Sequence, residues 1–237
     1  MNRAAQDELL SLRAEVLDLA AILIASVPRA TQILLDQDLE GAEYQILSDD
    51  EMDARTIELE ERCISFMALH APVASELRHA VAIMKMAADI ERSSDLVKNI
   101  CKVARRIHGF PLDLSLRKLI VAMSQQAQLL LQQSLTAYED YDLPTANSVR
   151  DMDMHLDSLH KQFIQSIFEA HGNKVIDLPV AVQMAITARF YERIGDHAVN
   201  IAEFIRFFLT GEKPVFSDLR RPTNEAGIID EVGGIRV

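Results

Sequence analysis

Four pairs of carboxylates, each pair set one helical turn apart, are the side chains in this sequence best placed to do chemistry. They are Asp49 with Asp53, Glu91 with Asp95, Asp153 with Asp157, and Glu192 with Asp196. Residues at i and i+4 stand on one helix face, where two like charges cost an isolated helix roughly 0.2–0.5 kcal/mol. Reading back by threes and fours from Glu91 gives Ala88, Met84, Val81 and Leu77, and from Glu192 it gives Ala188, Ala185 and Ala181. Asp49 is preceded in the same way by Ile46 and Ala42, and Asp153 by Val149 and Ala146. The acids therefore continue apolar stripes, and a carboxylate beside a core needs a partner or a metal. Arg92 and Arg193 fall about 100° round the helix from those stripes. If antiparallel packing brings two pairs face to face, four carboxylates surround one site and can bridge more than one ion. An all-oxygen set of this kind suits hard cations such as Mg²⁺, Ca²⁺, Mn²⁺ or ferric iron. The plainer alternative is a set of salt bridges to arginines on neighbouring helices.

The pairs belong to an internal repeat. Asp38-Leu39 with Ala42, Asp49 and Asp53 recurs 104 positions later as Asp142-Leu143 with Ala146, Asp153 and Asp157. Glu91-Arg92 with Asp95 and Asn99 recurs 101 positions later as Glu192-Arg193 with Asp196 and Asn200. The smaller second offset implies a shorter loop between the second and third helices of the second copy.

The elements that must carry these residues are long helices. Gly109 with Pro111, Gly172 with Asn173, and Gly211 with Pro214 follow helical patterns as C-terminal stops. Asp142-Leu-Pro144 and Asp177-Leu-Pro179 read as an acidic cap followed by a first-turn proline, and Ala71-Pro72 marks another start. The pattern predicts helices over 6–37, 39–69, 73–108, 114–140, 143–171 and 178–210, with Pro28 kinking or dividing the first. The expected fold is all-α: two tandem three-helix bundles, residues 1–108 and 109–211, related by a pseudo-twofold. Residues 212–237, with Gly227, Gly233 and Gly234, read as a tail that is mobile or docked on a partner.

Composition narrows the class. The chain of 237 residues is 49% hydrophobic, 5% aromatic and without tryptophan, which favours helices packed through aliphatic side chains. A net charge of -12 disfavours nucleic acid and direct adsorption to an anionic membrane. Acids crowd between Asp36 and Glu61, where Arg55 is the only base. Cys63 and Cys101 fit no metal spacing and are expected to be reduced. No stretch reads as a signal peptide. The uncharged run from Leu119 to Tyr138 contains Gln125, Gln126, Gln128, Gln132 and Gln133, which lipid would not satisfy. A cytoplasmic protein is expected.

At Tyr-Glu-Arg-Ile-Gly-Asp-His-Ala-Val-Asn-Ile-Ala-Glu (191–203) the sequence resembles the signature of the PhoU family of bacterial and archaeal phosphate-transport regulators. Asp89-Ile-Glu-Arg-Ser-Ser-Asp-Leu-Val-Lys-Asn-Ile100 is a weaker copy, with Ser93-Ser94 where the second copy has Ile194-Gly195. Ala71-Pro-Val-Ala-Ser-Glu-Leu-Arg78 resembles the family segment that opens the third helix, and the second copy lacks its Glu-Leu-Arg. The resemblance covers about residues 10–210. It implies two three-helix bundles and metal clusters, with iron foremost and Mg, Mn or other hard cations as alternatives. Glu91, Asp95, Glu192 and Asp196 fall on the third-helix motif, and Asp49, Asp53, Asp153 and Asp157 on the second-helix one. It also implies a regulator of phosphate uptake and phosphate-starvation signalling that links the ATPase of a phosphate ABC transporter to a sensor histidine kinase.

Other chemistry is poorly supported. Glu76-Leu-Arg-His79 has the ligand spacing of di-iron bundles, but those need two such motifs, and Asp157-Ser-Leu-His160 only imitates one. His160 and His197 are candidate nitrogen ligands, and Asn99 and Asn200 could orient ligands from one turn away. There is no glycine-rich phosphate loop, nucleophile elbow or useful Cys/His pair, so no enzyme is expected. The expected function is a metal-binding regulatory adaptor. The alternatives are a metal-storage or di-iron oxidoreductase bundle and a helical adaptor with no metal. A homodimer is expected by analogy, with Phe204, Phe207 and Phe208 as exposed apolar residues.

Overall fold

The computed structural model describes residues 3–215, and among these every regular element is a helix. They are α1 (Arg3–Asp36), α2 (Leu39–Leu47), α3 (Asp49–His70), α4 (Ala74–Arg106), α5 (Leu114–Asp140), α6 (Leu143–Gly172) and α7 (Leu178–Thr210). The tail reading for 212–237 lies, from residue 216 onward, outside the described residues.

Local chemistry sets the starts. Asp38, Asp113, Asp142 and Asp177 each have extended backbone and accept a hydrogen bond from an amide in the first turn of α2, α5, α6 and α7 respectively. Pro144 and Pro179 sit in those first turns, where no amide donor is required. At the other ends, Gly211 closes α7 at φ 80° and Ala71 closes α3 at φ 44°. After α6 the left-handed residue is Lys174 rather than Gly172.

The expected second helix, 39–69, is divided at Ser48, which caps the C-terminus of α2 and opens α3. Its counterpart in the second repeat, α6, runs unbroken. The helix α1 continues through Pro28 instead of dividing there. Proline 28 has no amide for the carbonyl of Ile24, and Gln128 Nε2 on α5 donates to that carbonyl at 3.2 Å.

The two repeats, α1 to α4 and α5 to α7, share one core. The helix α4 packs on α7, and α1 lies against both α4 and α5. A buried trio of hydroxyls joins them: Thr31 Oγ1 is 2.7 Å from both Ser124 Oγ and Tyr191 Oη. Within the second repeat, Gln126 of the long uncharged run donates through Nε2 to the carbonyl of Met152 at 2.9 Å. No helix among the described residues is long and apolar enough to cross a membrane.

Two expectations about single residues change. Phe204 is buried, and Phe207 and Phe208 are half-buried, so none is an exposed apolar surface for dimerisation. Cys63 and Cys101 are both free and buried, and burial pushes each thiol up to about 12.

His79 is turned into the core, stacked on Phe208 with ring centroids 4.1 Å apart and its Nε2 2.7 Å from Tyr138 Oη. Burial, and then the charge of Arg13, push its imidazole down from 6.5 to about 4. The unfolded chain thus takes up a proton near pH 6.5 that the folded chain refuses until about pH 4. The stability it contributes is complete above the higher value and is lost as pH falls toward the lower. Between pH 7 and pH 5 this loss amounts to about 2 kcal/mol, and His79→Gln should remove that portion in urea unfolding at the two pH values.

Candidate metal-binding clusters

Each acidic pair lies on the helix face the spacing predicts, and none of the eight carboxylates is fully exposed. Asp49, Glu192 and Asp196 are buried, while Asp53, Glu91, Asp95, Asp153 and Asp157 are half-buried. Arg92 and Arg193 point to solvent.

In the first repeat two of the four acids, Asp49 and Asp95, hold a lysine between them. Lys98, one turn beyond Asp95 on α4, bonds a carboxylate oxygen of Asp49 and lies 2.6 Å from Asp95 Oδ1. Ser94 Oγ donates to the other oxygen of Asp49 at 2.6 Å. Asp49 also occupies the first turn of α3, where the helix dipole favours negative charge. That position exists because the chain breaks at Ser48.

The proximity of the acids perturbs Glu91 and Asp53. Burial, then Asp95, Asp53 and Asp49, raise the Glu91 carboxyl above the ordinary glutamate value. Burial and then Asp49 raise Asp53, against the lowering effect of Lys98. Although burial alone would lower Lys98, its hydrogen bonds to Asp49 and Asp95 hold it above the usual lysine value.

The second repeat answers the same spacing differently. The position matching Lys98 is Val199, which is buried, and the position matching Ser94 is Gly195. A Cβ on Gly195 would stand 2.5 Å from Leu156 Cδ2 and 2.7 Å from Asp153 Oδ1. The glycine of the signature is therefore a packing residue that lets α6 approach α7. Glu192 pairs with Arg189, whose own side chain is half in solvent. His197 Nδ1 lies 2.9 Å from Ser93 Oγ on α4, and so ties the repeats together. Asn200 hydrogen bonds Asp89 across the same interface.

Among the described residues, no three His, Cys, Asp or Glu side chains are arranged to hold a metal ion. In the first repeat an ammonium group stands among the donors. The residues are oxygen donors whose chemistry suits hard cations. Glu76 and His79 do not form a di-iron ligand pair, since His79 faces Tyr138 and Phe208. Lys98, Ser94 and Arg189 are the partners that counting carboxylates alone overlooks. Lys98 was within reach of the spacing, being i+3 from Asp95 and i+7 from Glu91 on one helix stripe.

A repeated all-helical unit, fused through its third helices and carrying an acidic pair on each of two helices, defines a tandem three-helix-bundle protein. The PhoU domain model matches residues 16–104 and 120–205, one match in each repeat, and the chain belongs to the PhoU family. It is 31% identical over 207 residues to a phosphate-specific transport system accessory protein PhoU homolog of Caulobacter vibrioides, covering 87% of this chain and 90% of that one. It is 32% identical over 219 residues to a PhoU homolog 2 of Mycobacterium tuberculosis, covering 90% of this chain and all of the relative. The crystal structure of the phosphate transport system regulatory protein PhoU from Streptococcus pneumoniae superposes with a TM-score of 0.82 at 25% identity, over 89% of this chain and 99% of that one.

Gly195 offers a direct check on the helix approach. Gly195→Val adds a branched side chain against Leu156, which is fully buried, and should cost about 2–3 kcal/mol in denaturant unfolding.

Proposed function

We propose that this protein is a non-catalytic cytoplasmic regulator of phosphate uptake and phosphate-starvation signalling. It acts as an adaptor between the ATPase of a phosphate ABC transporter and a sensor histidine kinase, and meets the membrane only through them. The observation that carries this reading is the PhoU match in both repeats, together with relatives named as accessory proteins of phosphate-specific transport over nearly their whole length.

The surface supports a protein-binding role. Glu40, Glu43, Asp50, Glu51, Glu58 and Glu61 are exposed on α2 and α3, and Leu39, Tyr44, Leu47 and Ile57 are exposed on the same two helices. Acidic and apolar groups side by side suit a partner with a basic, apolar patch, drawn in by electrostatic steering.

The second part of the reading concerns cations. Asp49, Asp53, Glu91 and Asp95 form one candidate cluster, and Asp153, Asp157, Glu192 and Asp196 the other. Their oxygen chemistry favours ferric iron, Mn²⁺ or Mg²⁺ over soft metals. A bound ion would draw together helices that otherwise hold like charges apart, so its place in this reading is to stiffen the bundle that the partners engage.

Affinity capture from phosphate-replete cells should recover a transporter ATPase or a sensor kinase; recovery of neither removes the adaptor role. Elemental analysis of protein purified without chelator should find a hard metal that an Asp95→Ala/Asp196→Ala double variant loses. A metal-free wild type, or an equal metal content in the variant, removes the cation part. Sustained turnover of added ferrous iron in air would instead favour an oxidoreductase.

A further inference from the structure

We propose that the outward face of α3 is a docking surface for one amphipathic helix of a partner protein, a helix apolar along one stripe and flanked by lysines and arginines. This deepens the adaptor reading and rests on it for the identity of the partner, not for the existence of the surface.

Three observations carry it. Ala54, Ile57, Glu61, Ile64 and Ala68 are all exposed and follow one another at intervals of three, four, three and four residues, the spacing at which one helix meets another along a seam. The two isoleucines leave 58% and 57% of their surface to solvent, on a helix that packs, among the described residues, against α1, α2 and α4 alone. The fold itself does not require this stripe. At the positions 104 later on α6 stand Ser158, Lys161, Gln165, Phe168 and Gly172, of which only Phe168 carries a large apolar side chain.

Charge selects the occupant. Every charged residue exposed on α2 and α3 is acidic, and Glu51, Glu58 and Glu61 border or interrupt the stripe. The two arginines of α3 are engaged on the α1 side, Arg55 with Glu15 and Asp18, and Arg62 with Ser11. A second copy laid antiparallel on the stripe would set Glu61 against Glu61 at its centre, where like charges repel. A basic helix instead meets Ile57 and Ile64 with its own apolar residues while its cations reach Glu58 and Glu61. At 1.5 Å per residue the stripe from Ala54 to Ala68 runs about 21 Å, room for about four turns of the incoming helix.

The probe for the test is a helical peptide of three heptads, with leucine at the two seam positions and lysine or arginine beside them, set against a peptide of the same composition in scrambled order. Binding to the full-length protein is read by fluorescence anisotropy. The patterned peptide should bind about tenfold or more tighter than the scrambled one, and Ile57→Ser/Ile64→Ser should remove that preference. Serine and isoleucine have similar helix propensity, so this variant should keep the circular dichroism and melting of wild type. Lys161→Ser/Phe168→Ser on α6 should bind as wild type does. The proposal is overturned if wild type binds the two peptides equally, if the α3 variant binds as wild type does, or if wild type is a dimer that the α3 variant turns into a monomer. In the affinity capture, loss of the ATPase or kinase by the α3 variant supports the proposal. Equal recovery by wild type and variant overturns it and leaves the adaptor role standing. Selective peptide binding by a wild type that recovers neither protein keeps the surface and removes the adaptor role.

Discussion

The packing of α4 against α7 is the constraint on which the rest of the molecule depends. Each is a helix of 33 residues, and each is the last of its repeat. Their contact is apolar but not featureless. Ser93 meets His197, and Asp89 meets Asn200, so two polar pairs inside the seam fix how the helices slide and turn relative to each other. Buried polar pairs of this kind penalise every register in which they are broken. With one side of each helix committed to the other, the adjoining side must face α3 or α6. That is where the acids of α4 and α7 emerge.

The consequence is a charge problem posed twice. Acids one turn apart on two packed helices repel, and partial burial keeps water from screening them. The first repeat answers with an ammonium group and a serine hydroxyl, and with a helix start beneath Asp49. In the second, Arg189 reaches Glu192 from the rim, while a glycine lets α6 close on α7. The sequence repeat is therefore better kept in its acids than in the groups that compensate them.

Much of this was readable beforehand, for identifiable reasons. Helix ends marked by aspartate, proline and glycine were placed within a few residues, because those residues act on the backbone nearby and need no tertiary context. The constant offsets exposed the repeat, and the i, i+4 pairs picked out faces that do turn inward. What escaped notice depends on the neighbours. Ser48 ends α2 with φ -70° and ψ -13°, close to helical values, so the apolar period runs on with no proline or glycine to interrupt it. Lys98 carries a charge that looks like ordinary surface until α3 is laid across it. Phe204, Phe207 and Phe208 seem surplus to α7 until α1 to α4 are folded beside it.

Proline 28 brings the two halves of the chain into one thermodynamic unit. Among the described residues, the acceptor it strands on α1 is answered by an amide from α5, and the hydroxyl of Thr31, one turn later, by Ser124 and Tyr191 beyond those within its own helix. The N-terminal half on its own would keep those acceptors without their partners. Unfolding should then proceed as a single all-or-none transition, with neither repeat surviving the loss of the other.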